Sequence, residues 1–70
     1  MTNPRYEVKL VHPHGGRRVV HVYDSVKQET LMVYRRGNRY LLWNKQDVRV
    51  GNAALRRVVR EALENEVSRG

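Results

Sequence analysis

The sequence predicts an α+β fold: an antiparallel β-meander of four strands with one C-terminal amphipathic helix packed on one face. Residues 47–50 either extend the fourth strand or form a short fifth one. Three observations predict this. Segments within residues 6–43 carry the period-two alternation or β-branched content of half-buried strands. Two glycine-centred turns, around Gly15-Gly16 and Gly37-Asn38, separate those segments at hairpin spacing. From Ala53 onward the apolar period lengthens to that of a helix.

The first strand covers about 6–12, with Tyr6, Val8 and Leu10 on one side and Glu7 and Lys9 on the other. Proline beside paired glycines, in His12-Pro13-His14-Gly15-Gly16, then turns the chain. The second strand, about 18–23, is rich in β-branched residues and pairs with the first as a hairpin. Asp24 to Gln28 is a polar connection to the third strand, about 30–35. Arg36-Gly37-Asn38-Arg39 leads into the fourth, about 39–43, because both Gly37 and Asn38 tolerate positive φ. The single tryptophan, Trp43, is expected as the central packing residue under the helix. Leu41 would share its face, and Tyr40 and Leu42 would take the other. Asn52 follows Gly51 as a helix N-cap, its side-chain oxygen placed to accept from amides of the first turn. The helix covers about 53–67, with Leu55, Val59, Ala62 and Leu63 on its apolar stripe and Glu66 or Val67 at its end.

A chain of 70 residues makes a single small domain, 1–70, that buries only about 60% of its unfolded surface. It has no cysteine, so neither a disulfide nor a thiolate–zinc site can brace it. No run approaches the length of a membrane span, and Met1-Thr2-Asn3-Pro4 lacks the apolar centre of a signal peptide. The expectation is a cytoplasmic protein with no membrane partner and no cofactor.

Charge is the strongest functional signal. Fourteen Lys and Arg face seven Asp and Glu, for a formal net charge of +7. Residues 1–57 hold twelve of the cations and four of the acids, so the excess lies ahead of the second half of the helix. Eleven of the cations are arginine, whose planar fork suits phosphate and base edges. Arg17 and Arg18 follow one glycine turn, and Arg35, Arg36 and Arg39 surround the other. Arg56, Arg57 and Arg60 open the helix, where the macrodipole disfavours cations, while Glu61, Glu64 and Glu66 come late. A bound phosphate would relieve that crowding.

These residues, with Tyr34 and Tyr40 as stacking groups, make up the candidate site of a small, non-enzymatic nucleic-acid-binding protein, its partner either DNA or RNA. The bland reading of the same residues is a solvated hairpin and surface ion pairs. The alternative function is a protein-interaction module or small regulator that uses an uncovered sheet face, as a homodimer or on an acidic partner. A third reading is an RNA-cleaving toxin with His12, His14 or His21 as acid and base. No spacing implies that any two of these histidines meet, and without cysteine or carboxylate neighbours they make a poor metal set. Helix-turn-helix recognition is excluded because one helix alone is legible.

Overall fold

The computed structural model describes residues 5–69, with side chains through residue 65. It shows a five-stranded antiparallel sheet in simple meander order, β1 (Tyr6–His14), β2 (Arg17–Asp24), β3 (Glu29–Arg36), β4 (Arg39–Leu42) and β5 (Val48–Arg49). A 3-10 turn, Trp43–Lys45, separates β4 from β5, and helix α1 (Ala53–Arg69) closes the chain. The short fifth strand is therefore formed. The side chains of Glu66 and Val67, expected at the end of the apolar stripe, lie outside the described residues.

Each hairpin follows from its turn chemistry. Gly15 and Gly16 both have positive φ (59° and 80°), as a two-residue turn compatible with strand twist requires. At the second hairpin only Gly37 does (φ 61°), so glycine at the first central position suffices and Asn38 is not called on.

The helix covers one face only. Tyr6, Val20, Val22, Leu31, Val33 and Val50 from the sheet pack against Leu55, Val59 and Ala62 of α1, with Val11, Tyr40, Leu42, Val58 and Leu63 at the margin. Asn52 caps the helix as expected, its Oδ1 accepting from the Leu55 amide at 3.1 Å.

Two expectations about facing are corrected. The register of β1 on β2 shifts between Val8 and Leu10, making Lys9 an extra residue. Such a bulge reverses the side-chain phase beyond it, so Val8 pairs with Val22 on the helix side while Leu10 pairs with His21 on the other. Trp43 and Leu41 do share a face, but it is the face away from the helix, and Tyr40 and Leu42 are the pair beneath α1. Trp43 opens the 3-10 turn rather than ending β4.

Asp24, 1% exposed, ties the chain start to the β2–β3 turn. Arg5 donates to both its oxygens (3.0 and 3.1 Å), and the amides of Val26 and Lys27 donate to Oδ1. Those bonds, that from Arg5 above all, hold the Asp24 carboxyl below the usual carboxylate range despite its burial.

Two outcomes follow. Leu55→Ala removes a side chain 4% exposed and should cost about 2–5 kcal/mol, read as a lowered urea midpoint with an unchanged m value. Because the native Asp24 binds its proton more weakly than the unfolded chain does, its stabilisation is complete above the unfolded value of about 3.9 and is lost as pH falls through the lower native value. Asp24→Asn should lower the melting temperature at neutral pH and flatten its fall in acid, as thermal melts across that range would show.

Candidate nucleic-acid interface

In a meander the first and third turns lie at the same end of the sheet, so both arginine-bearing turns do too. The register places their residues in rows. Pairing of β2 with β3 ends at Val19 and Tyr34, and extending that register by two residues sets Arg17 opposite Arg36 beyond the last paired residues. Arg36 pairs with Arg39, and Arg17 with His14. Cross-strand partners share a face, so His14, Arg17, Arg36 and Arg39 form one row on the helix-free face at the tip of the sheet. Strands lie about 4.8 Å apart, so the three arginines span about 10 Å at the backbone.

The remaining arginines divide by phase. Arg18 and Arg35 alternate to the helix side, where Arg35 pairs with Tyr40. Arg35 Nε also donates to the Gly37 carbonyl at 2.9 Å, bracing its own turn. On that side Tyr40, Ala53, Arg56, Arg57 and Arg60 line an open cleft of about 450 Å³. The tip is thus basic on both faces. Arg49 was missed in the sequence because no turn or cluster marks it, yet pairing with Leu41 brings it to the same face as Arg17.

Few acids reach this end. Among the described residues, the ion pairs are Arg5–Asp24, Lys9–Glu7, Lys45–Glu29 and Arg57–Glu61, and Arg57 alone of the candidate arginines takes part. Arg60 and Glu64, which have the same i,i+4 spacing as Arg57 and Glu61, form no bridge. Two unit charges about 5 Å apart in bulk water repel by about 0.8 kcal/mol, so the row at Arg17, Arg36 and Arg39 stands in standing mutual repulsion that a polyanion relieves.

The helix start is less free than its position suggests. The Leu55 amide is taken by the Asn52 side chain and the Arg56 amide by the Asn52 carbonyl. Anion capture there rests on the arginine side chains rather than on those two amides.

Neither tyrosine is placed for stacking. Tyr34 is 1% exposed, beneath the Arg17 guanidinium at 5.1 Å from its ring centre and edge-on to Trp43 at 5.4 Å. Its hydroxyl donates to Asp47 Oδ1 at 2.8 Å, and burial first, then Asp47, pushes its pKa up. Tyr40 packs against the helix-side core. Both are therefore structural: alternation seats Tyr34 at the centre of the helix-free face, and the arginine and tryptophan above it exclude a base.

The groups that do line the helix-free face are Trp43 and the histidines. Trp43 is half-buried and meets the His14 ring edge-on, with centroids 4.6 Å apart. His12 and His21 meet as well, His21 Nε2 lying 2.8 Å from His12 Nδ1. The bulge at Lys9 makes this possible, because it moves His12 and His14 onto the face of His21. Burial, and after it the charge of His12, holds the His21 imidazole below the ordinary histidine value. No cluster of three or more metal-ligating side chains occurs among the described residues. No described helix is long and apolar enough to cross a membrane.

Tyr34→Phe keeps the ring but removes the bond that ties exposed Asp47, whose backbone has positive φ (59°), to the sheet. The expected result is a loss of about 1–2 kcal/mol, with faster amide exchange confined to residues 46–49. No protein-family model, curated protein or solved structure matches the chain.

Proposed function

We propose that the protein is a non-enzymatic nucleic-acid-binding module whose main contact is the arginine tip of the sheet. The observation that carries this reading is the row of Arg17, Arg36 and Arg39, three cations on adjacent strands with no carboxylate paired to them among the described residues. Guanidinium forks held at strand spacing by a rigid sheet suit successive phosphates, and Arg49 and His14 extend the same face. Arg18, Arg35, Arg56, Arg57 and Arg60 add a basic flank on the helix side. The ring on the helix-free face for base stacking is Trp43 beside His14, since Tyr34 is buried and Tyr40 packs half-buried against the helix-side core.

The second reading, a homodimer through the helix-free face, is favoured by Met32 and Trp43, which lie half-buried there over Val19, Tyr34 and Leu41. Sedimentation equilibrium separates the two, because a dimer closed over Trp43 would exclude a strand from that face.

The direct test is fluorescence-anisotropy binding to matched single- and double-stranded DNA and RNA at several salt concentrations. Neutralising about four to six phosphates gives a log–log salt slope of about −3 to −5. The double variant Arg36→Ala/Arg39→Ala should make that slope shallower by about 1.4–1.8 and change stability by no more than about 0.5 kcal/mol. An unchanged slope in the folded double variant would overturn the assignment.

A further inference from the structure

We infer that the His12–His21 pair is a phosphate-binding subsite that takes up a proton as it binds; the inference rests on the nucleic-acid reading above. The pair sits on the helix-free face, inward of the tip: His12 pairs with Val19, one row in from His14 and Arg17, and His21 pairs with Leu10 and Met32, one row further. Same-face rows lie about 6.6 Å apart along a strand, so a nucleic acid that fills the arginine row and extends inward over the same face reaches the pair.

The chemistry lies in how the two rings share protons. In the neutral pair two ring protons serve four nitrogens. One bridges His21 Nε2 and His12 Nδ1, and one outer nitrogen carries the other. The second outer nitrogen is left with a bare lone pair, which repels an anion. One further proton leaves the bridge intact, turns both outer nitrogens into donors and gives the pair a full positive charge. A further proton after that would remove the lone pair the bridge needs. The singly charged pair is therefore the form that is both internally bonded and matched to a phosphate oxygen.

Among the described residues, no carboxylate is paired with the two histidines. On β1 the pair's neighbours are His14, Lys9 and Glu7, and Glu7 is engaged by Lys9 at 3.3 Å. On β2 they are Arg17 and Tyr23, the latter beneath the Lys9 ammonium. On β3 they are Tyr34 and Arg36, and the one carboxylate reaching in from the β5 side, Asp47, accepts from Tyr34. Without an anion, charging the pair works against partial burial and cationic neighbours, which is the environment that holds His21 low. A phosphate reverses that balance. Reciprocally, affinity for phosphate must rise as pH falls, by at most about tenfold per pH unit for one proton taken up.

The test uses the full chain and tetramethylrhodamine-labelled single- and double-stranded DNA and RNA 20-mers at constant ionic strength. Between about pH 8 and about pH 6 affinity should rise about tenfold for the preferred form, one proton per complex. His12→Gln and His21→Gln should each hold the change to about twofold. In the wild type, the NMR titration midpoint of the His21 ring should move up by about one pH unit when the preferred nucleic acid, unlabelled, is added, a readout independent of any variant's folding. Binding that is independent of pH, or a rise that persists in folded His12→Gln, or an unmoved His21 midpoint, overturns the subsite and leaves the arginine interface standing. No binding at any pH overturns both.

Discussion

One helix can cover one face of a sheet, and the described residues form one helix for five strands. The second face therefore has to keep its own apolar residues dry. It does so locally: Val19, Tyr34 and Leu41 are buried without help from α1, beneath Trp43, Met32 and the Arg17 guanidinium. The anchor is Tyr34, whose ring fills the centre of that face and whose hydroxyl reaches Asp47 beyond β4. Trp43 then turns out of β4 into the 3-10 segment. Asn44 follows, accepting from the Met32 amide and donating to the Thr30 carbonyl (3.3 and 3.2 Å), so that β3 stays paired where β4 has ended. The result is a sheet with two unequal cores rather than a covered face and a bare one.

That arrangement also sorts the charges. Asp24 is spent on Arg5 and two turn amides, Glu29 on Lys45, Glu7 on Lys9 and Asp47 on Tyr34. The bonds to Arg5, Lys45 and Tyr34 cross between separate segments and hold them together, while those to Lys9 and the two turn amides are local. The acids that precede the helix are thereby committed away from the tip, and the arginines at the tip keep their charge uncompensated. Holding such a cluster together in the folded state costs repulsion, which is the expected signature of a surface whose counter-ion comes from outside the chain.

Much of the fold was legible because it depends on short-range chemistry. The turns at Gly15-Gly16 and Gly37, the Asn52 cap and the stripe of Leu55, Val59 and Ala62 each follow from neighbours a few residues apart. The clustered arginines at the turns and the helix start were legible too, since charge clusters survive any register, whereas the isolated Arg49 was not. The tyrosines were not: Tyr34 and Tyr40 flank the same basic turn, yet alternation and register send both into packing. The histidines were misjudged for a related reason. Tyr6-Glu7-Val8-Lys9-Leu10 reads as clean alternation, and nothing in it announces that Lys9 will be squeezed out of register.

By itself, then, the sequence determined the order and type of the elements, the hairpin connections and a net charge whose bulk lies ahead of the helix's second half. Those are set by turn stereochemistry, periodicity and composition, which act locally. Tertiary structure decided which face each residue meets, because a one-residue bulge or a choice between two nearly equivalent apolar faces inverts the side-chain phase at little local cost. That decision put Trp43 opposite the helix, brought His12 within hydrogen-bond distance of His21, and aligned Arg17 with Arg36 and Arg39 across three strands.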